Sequence, residues 1–279
     1  MMLISPRELA ERLERLDDVV VLDASWHMPD TGRDAWAEFE AAHIAGALRF
    51  DIDQVADHGS PLPHTLPSPE VFARMVGAMG ISNGTEVIVY ETGAPFAAPR
   101  AWWMFRVMGH DAKMLDGGLA AWKAAGLPTE GGPERTPDPA TFVPHFRREL
   151  LADADDVANV LEKGTAAVVD ARSPERFNGT VPEPRPGIRS GHMPGAFNVH
   201  YAALVGPDGR LKHDEALKAA FTDAGVDLSE PVVTTCGSGV TAAILSMALE
   251  RLGTRSAVYD GSWTEWGGDP ERPAAKGAS

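Results

Sequence analysis

Cys236 is the only cysteine among 279 residues, and its surroundings suit a reactive thiol. It follows a β-branched run, Val232-Val233-Thr234-Thr235, and precedes Gly237-Ser238-Gly239 and an apolar helical stretch through Leu249. A glycine loop between a strand and a helix N-terminus turns backbone N–H groups inward, and such a nest stabilises an anion. A thiol there is expected to ionise below its usual pKa of about 8.5, toward 7 or lower, which raises the fraction of nucleophilic thiolate. A lone cysteine is ordinarily an inert core residue. The strand–loop–helix setting argues for chemistry instead.

The elements that must position this loop repeat along the chain. Val19-Val20-Val21-Leu22-Asp23-Ala24 matches Ala167-Val168-Val169-Asp170-Ala171, and Ala42-His43-Ile44-Ala45-Gly46-Ala47 matches Gly191-His192-Met193-Pro194-Gly195-Ala196. Ala78-Met79-Gly80-Ile81 matches Asp223-Ala224-Gly225-Val226, each just before an apolar strand. Leu115-Asp116-Gly117-Gly118 matches Tyr259-Asp260-Gly261-Ser262. Landmarks recurring in one order at similar spacing mean two copies of one domain. Short apolar strands alternate with helical segments, so each copy should be α/β, a mostly parallel sheet with helices on both faces.

Residues 1–126 form the first copy, 127–149 a linker stiffened by five prolines, 150–268 the second copy, and 269–279 a disordered tail. Amphipathic helices are expected from Leu9 to Leu16 and from Ala152 to Leu161. Ser68-Pro69-Glu70 reads as a capped helix start. By register, Glu91 stands in the first copy where Cys236 stands in the second, so only the second copy has a nucleophile. His43 and His192 are equivalent and are assigned to the fold. Asp170 and Arg172 read as a structural ion pair, and Trp102, Trp103, Trp122, Trp263 and Trp266 as packing residues.

A net charge of −15 disfavours nucleic acid and anionic membranes, since nothing offsets phosphate repulsion. One cysteine forbids an internal disulfide, the start lacks the apolar core of a signal peptide, and no long apolar run occurs, which points to the cytoplasm. No residue spacing resembles a metal site and no phosphate loop follows an early strand, so no cofactor is expected. A self-sufficient monomer is the expected state.

Cys236-Gly237-Ser238-Gly239-Val240-Thr241, Arg176-Phe177-Asn178-Gly179-Thr180-Val181-Pro182-Glu183-Pro184-Arg185, and Pro99-Arg100-Ala101-Trp102-Trp103 together resemble the tandem-domain rhodanese-like sulfurtransferases. The likeness is to the branch that uses 3-mercaptopyruvate. The thiosulfate branch places cationic residues straight after its cysteine, whereas Gly237 and Ser238 are uncharged. The resemblance implies that Cys236 takes sulfur from the donor as a persulfide and releases pyruvate. It implies that the loop of Gly237, Gly239, Val240 and Thr241 cradles the sulfur, and that Arg176 and Arg185 bind the donor. Guanidinium groups suit a carboxylate and keto oxygen. It further implies a proton relay of Ser238, His64 and Asp53.

Three other readings compete. A phosphatase of this fold needs an arginine six positions after the cysteine, where this chain has Ala242, and is rejected. A thiosulfate:cyanide sulfurtransferase differs only in donor. A non-turnover persulfide carrier or redox sensor has no use for paired arginines or a relay. With no second thiol, sulfur must leave to an external acceptor such as thioredoxin, a small thiol or cyanide.

Overall fold

The computed structural model of the chain describes residues 2–15 and 18–277. The first copy runs β1 (Leu3–Ile4), α1 (Pro6–Glu14), β2 (Val19–Asp23), α2 (Ala35–Ala41), β3 (His43–Ile44), β4 (Leu48–Arg49), α3 (Pro69–Ala78), β5 (Glu86–Tyr90), α4 (Ala98–Val107), β6 (Lys113–Leu115) and α5 (Gly118–Ala124), then β7 (Thr129–Glu130). The second runs β8 (Leu151–Ala152), α6 (Ala154–Lys163), β9 (Ala167–Asp170), α7 (Pro174–Phe177), β10 (Phe197–Asn198), α8 (Asp214–Thr222), β11 (Val232–Thr235), α9 (Ala242–Arg251), β12 (Ser256–Tyr259) and α10 (Ser262–Gly268).

The sheets share one topology. Strand order is β1-β6-β5-β2-β4 in the first and β8-β12-β11-β9-β10 in the second, every pairing parallel. The opening helices start alike. In α1 the Ser5 side chain accepts the Glu8 N–H while the Glu8 carboxylate accepts the Ser5 N–H; Asp153 and Asp156 do the same for α6. The first of these helices ends at Glu14, and Leu16 lies outside the described residues. Ser68 caps α3 as expected.

Leu9, Val21, Phe39, Ile88, Tyr90 and Trp122 anchor one core; Val157, Val168, Phe177, Tyr259, Trp263 and Trp266 anchor the other. Burying each such side chain is worth roughly 1.5–3 kcal/mol or more. His43 stacks on Phe39 at 3.8 Å and His192 on Phe177 at 3.9 Å, each ring nitrogen bonding the same phenylalanine's carbonyl. Both histidines thus serve packing.

Two compact units emerge. One holds the chain up to Asp57, Leu66–Arg147 and Pro207–Arg210; the other holds His58–Thr65, Arg148–Gly206 and Leu211 onward. A short segment of each sequence copy therefore belongs to the other copy's unit. The proline-rich stretch is pinned along the first unit: β7 pairs antiparallel with β3, and the amides of Ala140, His145 and Arg147 bond the carbonyls of Gly77, Met108 and Val107.

The expected disordered tail is corrected by the structure. Residues 269–277 pack on the second unit through Ala275, which exchanges two backbone hydrogen bonds of 2.9 Å with His192. A polar, proline-rich composition masks this order because its partners lie far back in the chain.

Candidate active site

The central strand of each parallel sheet ends in the loop where α/β sites form, outside the carboxyl edge. In the second unit this loop is 236–241, between β11 and α9. Cys236 is a free thiol, 2% exposed. Its backbone is fixed from the turn that opens α10. The Cys236 N–H donates to Ser262 Oγ at 3.1 Å, and the Cys236 carbonyl accepts from Trp263 N–H at 3.0 Å. Next, the Gly237 carbonyl accepts both the backbone N–H and the hydroxyl of Thr264, at 2.9 and 2.6 Å. Ser262 reaches Cys236 only by taking a left-handed φ of 51°, an unusual conformation for a residue with a Cβ. Its hydroxyl is oriented by donating to the Tyr259 carbonyl at 2.7 Å.

Beside the loop lies a chain of alternating charges. Arg172 is fully buried and bonds Asp170 at 2.6 Å, Glu183 at 3.0 Å and the Gly191 carbonyl at 2.8 Å. Its guanidinium also lies 4.5 Å over the Trp263 ring. Burial acts to lower the pKa of Arg172, but the charges and hydrogen bonds of Asp170 and Glu183 together outweigh it and hold Arg172 above its ordinary value. Glu183, with its side chain 4% exposed, then forks onto Arg176 through Oε1 and Oε2 at 3.1 and 2.6 Å. A Cβ at Gly237 would fall 2.9 Å from Nη2 of Arg176. The tip of the Arg176 guanidinium thus lies against the thiol loop at Gly237. The Asp170–Arg172 pair is structural, as the sequence indicates, but it also orients the glutamate that orients Arg176.

The first unit shows what the same loop does without a thiol. Asp23 pairs with Tyr90 as Asp170 pairs with Thr235, so Glu91 and Cys236 are equivalent. Glu91 turns its carboxylate onto the N–H groups of Phe96, Ala97 and Ala98 at 2.8, 3.1 and 3.2 Å. The N–H groups of this loop thus converge on one carboxyl group. Even a charge pair recurs: Arg33 forks onto Glu38, both contacts 2.6 Å, and donates to the Thr92 hydroxyl. A cavity of about 330 Å³ lined by Glu38, Thr92, Leu119 and Lys123 adjoins it, and no thiol lines it.

Burial pushes Glu91 up to about 7, against its three N–H donors and reinforced by Asp23. Between its ordinary 4.5 and about 7 the folded chain keeps a proton that the unfolded chain has lost. Native stability therefore falls as pH rises through that window and is level above it. Glu91→Gln should show a stability advantage that grows across the window, read by urea denaturation from about pH 5 to about pH 8. A difference independent of pH would mean that Glu91 ionises alike in both states.

The remaining predicted residues fall as follows. Ser238 is half-buried, Gly239 takes a left-handed φ of 77°, and Val240 and Thr241 are buried where the loop enters α9. Arg185 is half-buried on the segment that begins at Arg176. His64 is buried, takes a left-handed φ of 59°, and belongs to the unit that carries Cys236. Asp53 is exposed in the other unit and accepts the Trp26 indole N–H at 2.7 Å.

Sequence reasoning missed Glu183, Ser262 and Thr264 as site residues, and also His200 and Tyr201. Burial lowers the pKa of His200 and raises that of Tyr201, and the Arg176 charge lowers both, so the two rings share its field. They meet edge-on at 4.9 Å. For Ser262 a signal existed: it aligns with Gly118, whose φ is 56° and where a Cβ would stand 2.5 Å from the Glu91 carbonyl.

Comparison with known proteins agrees with this architecture. The family model described as a Rhodanese-like domain matches residues 5–125 and again 153–269. The human 3-mercaptopyruvate sulfurtransferase is 43% identical over 250 residues, covering 88% of this chain and 84% of the human protein. The Arabidopsis thaliana mitochondrial thiosulfate/3-mercaptopyruvate sulfurtransferase 1 is 42% identical over 281 residues, covering 93% of this chain and 74% of the plant protein. Among solved structures, the Escherichia coli 3-mercaptopyruvate sulfotransferase matches with a TM-score of 0.85 at 38% identity, covering 94% of this chain and 99% of the other. Two matched copies, one loop with a thiol and one closed by a glutamate, make this chain a tandem member of the rhodanese-like family.

Proposed function

We propose that the chain is a sulfurtransferase that moves sulfane sulfur from 3-mercaptopyruvate, through a persulfide on Cys236, to a thiol or cyanide. The observation that carries this reading is Arg176, gripped by Glu183 and laid against Gly237 of the thiol loop. A planar cation beside an uncharged loop suits a donor whose charge is a carboxylate near the reacting sulfur.

The Cys236 thiolate attacks the donor sulfur, and the carbon–sulfur bond breaks. Its electron pair stays with carbon as the enolate of pyruvate, which takes up a proton. The sulfur remains as the outer atom of the persulfide, where the N–H groups of Gly237, Gly239, Val240 and Thr241 face its charge. Arg176 and Arg185 hold the donor carboxylate and keto oxygen. Ser238 and His64 carry the proton from the donor thiol to the enolate. An acceptor thiolate then attacks the outer sulfur and regenerates the Cys236 thiolate; thioredoxin or a small thiol fits, and cyanide would leave as thiocyanate. The single thiol suits a reducing compartment, the cytoplasm, and the two units serve one monomer.

The Arabidopsis relative carries both donors in its name, and thiosulfate is a weaker second donor in this reading. Steady-state assay of the two donors with one acceptor should give a kcat/KM at least about ten-fold higher for 3-mercaptopyruvate, the effect of about 1.4 kcal/mol. A preference for thiosulfate would overturn the donor assignment. Turnover of neither would move the chain to a persulfide carrier.

A further inference from the structure

The candidate donor arginine stands on α7, a helix of four residues. One turn has no stability of its own, because a short helix fixes several dihedrals for very few hydrogen bonds. Something else must hold Arg176 in place, and Glu183 grips only its tip.

Residues 269–277 lie across the other end of the same element. They leave α10 and are tied down at Arg272, which bonds Asp155 at 2.6 Å and lies 5.2 Å over the Trp266 ring. The Trp266 indole N–H donates to the Pro273 carbonyl at 2.7 Å. Ala275 and His192 then exchange their two backbone hydrogen bonds, and the Gly277 N–H reaches the Asn178 carbonyl at 2.9 Å. Asn178 is the residue that closes α7, and His192 stacks on Phe177, the last residue within it. The segment therefore touches the end of α7 directly and again through the histidine.

Two glycines are committed to this contact. Gly191 has φ 123° and a Cβ there would run into the Ala275 carbonyl; Gly179 has φ 70° and a Cβ there would stand 3.0 Å from Lys276 Cγ. A side chain at Gly191 would lift the segment away, and one at Gly179 would displace the Lys276 side chain.

We propose that residues 269–277 are a strap that clamps α7 and thereby positions Arg176 for the donor. The strap touches neither Cys236 nor its loop in any of these contacts, so its role is positioning. Its kinetic consequence rests on the donor reading above; its structural consequence does not.

The test uses the full chain with Ala275→Pro, which removes the N–H given to the His192 carbonyl, and Ala275→Ser, which keeps it. A third variant ends at Asp269. Amide hydrogen exchange is followed at residues 177–180, whose N–H groups close the turns of α7. Ala275→Pro and the shortened chain should speed exchange there by about ten-fold or more while the amides of β11 and α9 stay protected. The KM for 3-mercaptopyruvate should rise about five- to ten-fold with kcat within about two-fold, and Ala275→Ser should match the native chain. Unchanged exchange at 177–180 in a folded variant overturns the strap. Faster exchange with an unchanged KM overturns its role in positioning Arg176. If the native chain turns over no donor, the function reading fails and the exchange alone decides the strap.

Discussion

Cys236→Ser is expected to abolish sulfur transfer to every acceptor, a loss of at least roughly 10⁴-fold in kcat/KM, as when other covalent nucleophiles are removed. The substitution keeps size and shape. A serine Oγ sits in the same loop, with its N–H on Ser262 and its carbonyl on Trp263 undisturbed, so the fold should be retained. What is lost is a sulfur that can act as a thiolate nucleophile and accept a second sulfur. The check has two arms: transfer with 3-mercaptopyruvate and cyanide, and mass spectrometry after donor alone, which should show a gain of one sulfur atom on the native chain and none on the variant. Residual turnover in the variant would sink the persulfide mechanism.

Arg176→Ala carries the second largest expectation. A charge-assisted bond to a donor carboxylate is worth about 1.5–3 kcal/mol, or roughly 10- to 150-fold in KM for 3-mercaptopyruvate. Thiosulfate has no carboxylate, so its KM should move less. Removing the guanidinium also strips Glu183 of one of its two cations, although Arg172 still binds it. Thermal unfolding should be recorded beside the kinetics to separate that cost. Arg176→Lys should recover only part of the loss, because an ammonium cannot fork onto Glu183 and a carboxylate together. Equal rises in KM for both donors would remove the carboxylate role from Arg176.

Much of this was legible in the chain because it is short-range or repetitive. The two copies appear as matched strings, and strand register alone placed Glu91 opposite Cys236 in the repeat. Adjacent glycines and a β-branched run marked the loop. His43 and His192 could be given to the fold because a residue kept in both an active and an inactive copy does not need the thiol. Each of these inferences uses neighbours within a few residues, where local geometry is narrow.

Other features had no local signature. Glu183 grips Arg176 across a turn that is not helical, so no periodicity announces the pair. Ser262 lies 26 residues beyond Cys236, and only its alignment with Gly118 in the other copy hints at its left-handed backbone. The tail reads as disorder by composition, yet Ala275 finds its partner at His192, far back in the chain. The exchange of His58–Thr65 and Pro207–Arg210 between compact units is likewise invisible in a linear repeat.

The sequence by itself therefore determined the two-copy α/β design, the position of the single nucleophile and its absence from the matching position of the first copy, since these follow from spacing and backbone preference. Only the tertiary structure decided which cation meets the thiol loop, what holds it there and where residues 269–277 go. Those depend on contacts between residues distant in sequence, and burial, charge pairing and steric room settle them only when the chain is folded.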